Sequence, residues 1–345
     1  MSILRRGKLR APLHFTGSFA KLRFLSVSDK IGIARALLSI RYEYGKRTDL
    51  DSITMIDWLR EKRQTQRAID RFWRQIIVSA LSEDPERVAA IHGLQVFYLG
   101  FLAREDAYEF GVPSVPLGEL YSEDAWSRFP EVKIVHRAPV QEVRIEGGRA
   151  IGIIVNGKCI TADAYVLAVP FERLGMLAPG LPLDVSKFSH APITGIHLWF
   201  DRSVTDLPHA TLLDRTIQWM FNKHAGQQIQ IVVSASRSLI EMARAEVIEL
   251  TLRELKEFFP RVAEAKLERA HVVKEVRAVL SPVPGLERER PVSKTAIPNL
   301  FLAGDWTRSG WPAIMEGAVR SGYVAAEAVL TMFGESWRFL LPDPA

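Results

Sequence analysis

The chain carries one cysteine, Cys159, in 345 residues. A disulfide framework is therefore excluded, and a reducing compartment fits. Cys159 lies in a strand-like run, Lys158 to Thr161, with no histidine beside it in sequence, so it reads as structural rather than nucleophilic. No apolar run of about 18 residues occurs, so no membrane-spanning helix is expected. The first ten residues are basic but lack the apolar stretch of a secretory signal. A cytoplasmic protein is the expectation, and the chain has neither an internal repeat nor a low-complexity segment.

A chain of this length can bury a large core, and two interleaved or tandem domains are expected. The hydrophobic content of 48% is that of a globular protein. The net charge of +5 is unevenly placed: residues 1–47 hold 11 Lys/Arg against 2 Asp/Glu, a net of +9, which leaves −4 for the rest. No motif or interleaved aromatic platform supports nucleic acid as the partner of this basic arm. Phe15, Phe19, Leu22, Phe24 and Leu25 stand among Lys21, Arg23, Lys30 and Arg35. That mixture reads either as a peripheral contact with anionic lipid, at the inner face of a membrane, or as a solvated helix face.

The first 125 residues read as helical. Ser28 and Asp29 are the expected cap of a helix ending at Gly45. Thr54-x-x-Asp57 resembles a capping box. Gln66 to Leu81 and Pro85 to about Ala103 carry apolar residues at helical spacing. Those side chains suit a bundle core and equally the wall of a tunnel for a long apolar substrate. Gly111 to Glu119 is a loop. Four strand-like runs follow, Val132–Val135, Val140–Ile145, Ile151–Val155 and Lys158–Thr161, and Asn156-Gly157 favours a type I′ turn. Further strands are expected at 193–200, 216–221, 228–234 and 266–280, with an amphipathic helix at 241–259. His197, inside one of these strands, is most simply a structural residue; as a proton donor it is a guess.

The stretch from Asn299 to Gly322 organises the rest. Leu300 to Ala303 reads as a buried strand, Gly304 permits a sharp turn, and Asp305 follows the strand's carboxyl end, where open α/β sheets bind ligands. Pro312 suits a helix start. The helix from about Ala313 to Leu330 carries small residues at Gly317, Ala318, Ser321, Gly322, Ala325 and Ala328. Its first N–H groups would stabilise an anion or an electron-rich carbonyl.

The run Gly304-Asp305-Trp306-Thr307…Gly310-Trp311-Pro312-Ala313-Ile314-Met315-Glu316-Gly317-Ala318-Val319-Arg320-Ser321-Gly322 resembles the C-terminal FAD signature of the amine oxidase and phytoene desaturase superfamily. It is most similar to the squalene-associated branch, hydroxysqualene dehydroxylase. The resemblance continues in Asp57-Trp58-Leu59-Arg60, in Arg67 to Trp73 and in Gly111-Val112-Pro113…Val115-Pro116-Leu117. It implies a mixed α/β (α+β) fold, with an incomplete FAD-binding Rossmann-like domain interleaved with a substrate domain of helices and an antiparallel sheet. The implied division is a helical part of the substrate domain at 1–125, an FAD-domain meander at 126–170, a substrate sheet and helix at 171–292, a C-terminal FAD strand and helix at 293–333, and a tail at 334–345. It implies FAD as cofactor, contacted by Val140, Gly304, Asp305, Trp311, Pro312, Ala313, Met315 and Ala318, and no metal. Asp305 would hold ribityl or ribose hydroxyls, and the amides of 313–318 would face the flavin pyrimidine.

The implied activity is removal of a hydroxyl from a C30 isoprenoid alcohol to give squalene. The rivals are a phytoene or carotenoid desaturase, an amine oxidase on the same scaffold, and a non-catalytic remnant or lipid-binding module. No catalytic residue is assigned; Arg308, His197 and Trp306 are guesses for the acid. The sequence contains no Gly-x-Gly-x-x-Gly, the turn that cradles a dinucleotide pyrophosphate. A mis-assigned start is the favoured expectation, with a separate N-terminal fragment and a decayed gene as alternatives. The 345 residues alone are then expected to lack a flavin spectrum.

Overall fold

The computed structural model describes residues 5–343, the side chain of Ala125 excepted. Its first part is helical. Helix α1, Val27–Glu43, is capped by Ser26, two residues before the expected position. The Ser26 hydroxyl accepts the Asp29 amide and the Asp29 carboxylate accepts the Ser26 amide. Ser26 wins because Asp29 then falls at the third helical position, where a carboxylate can reach back. Helix α2, Met55–Glu61, opens on the expected Thr54 cap. Helix α3, residues 66–81, holds a π turn at Ile69–Trp73. Helix α4, residues 90–102, ends in another, Tyr98–Leu102. It starts at Ala90 rather than Pro85, because residues 85–88 serve α2: the carbonyls of Val88 and Pro85 accept the Met55 and Ile56 amides at 2.7 and 2.9 Å.

The facing apolar sides of α1–α4 close one core around Ile33, Trp58, Phe72, Trp73, Ile77 and Phe97. Phe15, Phe19, Leu22 and Leu25, the residues expected to meet lipid, belong to it and are 7% exposed or less. Phe24 is half-buried against the same core. A basic-and-apolar pattern has the same composition whether its apolar members face lipid or a core, and here they face the core.

The second part is the meander: β1, Val140–Glu146, β2, Arg149–Val155, and β3, Lys158–Ile160, antiparallel in that order. Asn156 and Gly157 both have positive φ, as the expected I′ turn requires. The strand expected at Val132–Val135 does not form. Residues 131–139 are turn and coil, with no neighbouring strand to pair them. Strand β4, Tyr165–Leu167, leaves the meander and pairs in parallel with the C-terminal strand Leu300–Leu302.

The third part is a five-stranded antiparallel sheet, order β6-β7-β8-β5-β9. Its strands are β5, His190–Phe200, β6, His209–Thr211, β7, Trp219–His224, β8, Gln228–Ser234, and β9, Leu267–Leu280. Helix α5, Arg244–Phe258, covers one face and buries Ile196, Leu198, Ile231 and Val247. Strand β6 has only three residues, too few for alternation to show. Residues 171–188 pack with the meander and the C-terminal strand and touch this sheet at its end: Phe171, Leu174 and Phe188 share a core with Val143, Leu300 and Trp306 and with Leu280 of β9. The C-terminal strand is β10, and the helix after it, α6, spans Met315–Met332.

Candidate functional site

The site begins at the carboxyl end of β10. Gly304 has φ +133°, a conformation that side chains rarely adopt. A Cβ there would press into the Trp306 indole, 2.6 Å from Nε1. The Gly304 amide donates to Ser321 Oγ at 2.8 Å, so the turn rests on the second turn of α6. Gly317 lies against the Pro312 carbonyl, with no room for a side chain. Small residues therefore draw strand end, loop and helix together, as their spacing suggested.

Helix α6 starts at Met315, so Pro312 and Ala313 belong to the loop before it rather than to its first turn. The Ile314 amide folds back onto the Pro312 carbonyl at 2.8 Å. No side chain caps the helix, which leaves its first N–H groups without intrahelical acceptors. Met315 and Ala318 are exposed, Trp311 is half-buried, and Pro312 and Ala313 are buried. The Trp311 indole donates to Asp343 Oδ1 at 2.8 Å and lies under the Arg320 guanidinium. Asp305 is half-buried, and burial raises its carboxyl above the usual range against the opposing pull of Arg290.

Arg290 organises the loop. It is 2% exposed and uses all five of its N–H donors. Nη2 donates to the carbonyls of Asp305 at 2.7 Å and Thr307 at 2.5 Å. Nη1 donates to the Trp311 carbonyl and to Glu287 Oε2, both at 2.7 Å. Nε reaches the Trp306 carbonyl at 3.4 Å. Gln95 of α4 holds a further carbonyl, that of Gly310, at 2.8 Å. Fully buried His92 stands behind, its Nε2 3.7 Å from Glu287. Burial, then the charge of Arg290, pushes this imidazole down to about 3. Sequence reasoning missed Arg290 because Glu287-Arg288-Glu289-Arg290 looks like a solvated charge run. It also missed Asn299, which is 1% exposed. Asn299 pairs like a strand with both backbone groups of Ala150, at 3.0 and 2.9 Å, and so bolts β2 to β10. A polar residue immediately before a buried strand was the available signal.

Of the expected cofactor residues, Gly304 to Ala318 come together at this one turn. Val140 stands apart, half-buried at the start of β1 opposite Val155. Trp306 is 1% exposed, donates to the Val169 carbonyl at 2.8 Å and packs edge-on to Phe188. Arg308 is exposed and donates to the Arg288 carbonyl. The three guessed acids do not converge.

From Trp306 an aromatic chain leads through Phe188 and Phe171 to His190, at the head of β5. His190 lies within electrostatic reach of Asp305. The sheet face opposite α5 carries the alternate residues of β5, Gly195 and His197 among them. The register aligns His209, Phe221, Gln230, His197 and His271 in one row across all five strands. The next row holds Thr211, Trp219, Val232, Gly195 and Val273. Phe110 covers part of both, stacked on Trp219 with centroids 5.2 Å apart. Burial, then His271 and Lys223, holds the His197 imidazole below its usual range. His197 is thus held toward the neutral imidazole. It also lies about 23 Å along the strand from His190, at 3.3 Å per residue. A separate cavity of about 600 Å³ is lined by Asp70, Arg74, Asp84, Asp214, Arg215 and Glu254. Its charged walls suit no hydrocarbon.

Residues 5–330 match the sequence profile of the family described as flavin containing amine oxidoreductase. A 15-cis-phytoene desaturase of an Oncidium hybrid cultivar is 28% identical over 92% of this chain and 60% of its own length. One from Synechococcus elongatus is 25% identical over 84% of this chain and 67% of its own. The chain thus spans about three fifths of the first of these relatives. An oxidoreductase structure from Methanosarcina mazei superposes with a TM-score of 0.65 at 18% identity, over 92% of this chain and 75% of the other. That likeness is one of fold.

Proposed function

The chain belongs to the family of flavin containing amine oxidoreductases, FAD-dependent oxidoreductases by chemistry, and we propose that it acts on a long isoprenoid hydrocarbon, as a desaturase. The turn from Gly304 to Ala318 fits the ring and sugar end of FAD: an uncapped helix start, a half-buried carboxyl, and two glycines where side chains would collide. Asp305 would take the ribityl or ribose hydroxyls. Amides near Met315 would meet the electron-rich pyrimidine edge, Trp311, Pro312 and Ala313 would wall it, and Ala318 would leave room beside it. Val140 would serve the adenine end. When bound, FAD supplies hydride acceptance. The pyrophosphate cradle would come from a Gly-rich segment outside these residues, on the same polypeptide or a separate one.

The observation that carries the substrate class is the open sheet face. It offers Gly195, Val232, Val273, Trp219 and Phe221, an apolar and aromatic patch about 14 Å wide across four strands, which would seat one segment of an extended polyisoprenoid. Such a chain would lie along β5 by apolar and aromatic contact, and the covering Phe110 would exclude water. His197, held toward its neutral form, has no ready proton for the acid step that dehydroxylation needs. The relatives also favour the desaturase over hydroxysqualene dehydroxylase. The dehydroxylase keeps one argument, the form Gly310-Trp311-Pro312-Ala313-x-Met315-Glu316-Gly317-Ala318. Because the substrate dissolves in a bilayer, the protein would work at a membrane surface.

The test is to co-express the chain with a segment carrying Gly-x-Gly-x-x-Gly. The flavoprotein would then receive phytoene with a quinone, hydroxysqualene with reduced flavin, or a panel of amines. Desaturated products are expected. Squalene alone would favour the dehydroxylase, aldehyde with peroxide an amine oxidase, and failure to retain flavin would defeat the reading.

A further inference from the structure

Helix α1 has a second face that the core does not use. Ile33, Ala36, Leu37 and Ile40 point inward and are 6% exposed or less, which fixes the helix rigidly on the bundle. Outward stand Val27, Ile31, Leu38 and Tyr42, 74%, 48%, 51% and 69% exposed. Ala34 is exposed between them. At 3.6 residues per turn these five fall within roughly 80° of arc, a single stripe along the helix. Exposed Arg41 and Arg35 flank the stripe on either side, each about 20° beyond its edge.

The helix's two acids are withdrawn from that face. Asp29 is buried in the cap, where Thr65 also donates to it. Glu43 is taken by Lys62, Arg47 and the Trp58 indole. The outward face is therefore apolar at its centre, cationic at its rims and free of exposed acids. Another exposed apolar stripe, Met315, Val319 and Tyr323 on α6, lacks this charge pattern: Glu316 lies beside it, and Arg320 is engaged by Asp343.

We propose that α1 is the surface on which this protein lies against an anionic lipid bilayer, with Val27, Ile31, Leu38 and Tyr42 entering the acyl boundary and Arg35 and Arg41 meeting headgroup phosphates. A helix so patterned lies in the interface plane, its apolar face about 5–10 Å deep. The helix is already folded and anchored, so binding carries no cost of ordering its backbone. The residues differ from those that composition suggested, since Phe15, Phe19, Leu22 and Leu25 are core. The proposal shares with the functional reading only the reason for visiting a membrane; the contact itself rests on packing and charge.

The experiment is co-sedimentation of the full chain with vesicles of phosphatidylglycerol and phosphatidylcholine, or of phosphatidylcholine alone. Binding is expected to the anionic vesicles and to weaken with salt. The double variant Ile31→Asp/Leu38→Asp should weaken it about tenfold or more. Arg35→Glu/Arg41→Glu should remove the preference for phosphatidylglycerol, at about fivefold per charge. Circular dichroism checks that the variants fold. In case they do not, the single variant Tyr42→Trp in the otherwise unchanged chain should show quenching by brominated lipid. The proposal fails if the chain does not sediment with anionic vesicles, if the indole of the Tyr42→Trp variant is not quenched, or if a folded stripe variant binds equally well. It also fails if light scattering finds a lipid-free dimer that the stripe variant dissolves, because the occupant would then be a second copy.

Discussion

The helical bundle with its antiparallel sheet and the part built from the meander, β4, β10 and α6 solve the folding problem differently. The first closes two large cores, in which Trp58, Trp73, Phe97, Ile196 and Met220 are fully buried, and leaves open the outer stripe of α1 and the sheet face opposite α5. The second leaves apolar groups uncovered. Val166 is 46% exposed, Ile160 50%, Met315 58%, Val319 50% and Tyr323 48%. Its parallel sheet has two strands, where parallel sheets are ordinarily covered on both faces. The open part has a core of its own around Phe171, Leu300, Leu302 and Trp306, and polar bolts, Arg290 and Asn299 above all, fix its strands and loops to one another. The turn from Gly304 to Ala318 sits at the junction, gripped by Gln95 from the bundle and by Arg290 from the segment before β10.

This contrast can be broken first at Arg290. Arg290→Met leaves the carbonyls of Asp305, Thr307 and Trp311 without their donor and Glu287 without its partner. A loss of about 3–5 kcal/mol is expected for an opened buried pair. Calorimetry should then resolve an early transition of the open part from a nearly unchanged later one. A single transition shifted as a whole would show the two parts to be one cooperative unit.

Asn299→Leu comes next. It removes two bonds to Ala150 and one to Asp163 and leaves buried backbone groups unpaired, at about 2–3 kcal/mol. Hydrogen exchange should quicken in β1 and β2 while β5 and β8 stay protected. Gly304→Ala should cost about 1–3 kcal/mol through forced backbone conformation, and more if Trp306 cannot give way. In the flavin-loaded protein it should weaken retention of the cofactor, read by filtration and absorbance.

The effect that is smallest per pH unit sharpens the comparison from the closed side. His92 is held neutral, at about 3 against an unfolded value near 6.5. The folded value is depressed, so the stability that His92 contributes is fully present above about pH 6.5 and is lost as pH falls toward 3. The slope is at most about 1.4 kcal/mol per pH unit. Denaturant titrations across that window should show the slope, and His92→Leu should flatten it. A variant with an unchanged slope would place the acid sensitivity elsewhere.

The bundle helices, the Asn156-Gly157 turn and the Gly304–Ala318 run were legible because periodicity, turn chemistry and glycine each act over a few neighbouring residues. The short strand β6 and the start of α4 were not. Three residues show no alternation, and residues 85–88 are claimed by Met55 and Ile56, some 30 positions earlier. Within the site, sequence marked the turn and missed the residue that holds it. Arg290 acts through carbonyls 15 to 21 positions away, and carbonyls leave no mark in a sequence.

The sequence by itself determined which residues could turn sharply, which could pack closely and which family of flavoproteins they resembled. Those properties reside in single residue types and short spacings. Only the tertiary structure decided which apolar residues of the basic N-terminal region are core and which remain outside, because burial is a property of partners. It alone also aligned the row from His209 to His271, since strand register is set by pairing between segments that sequence keeps far apart.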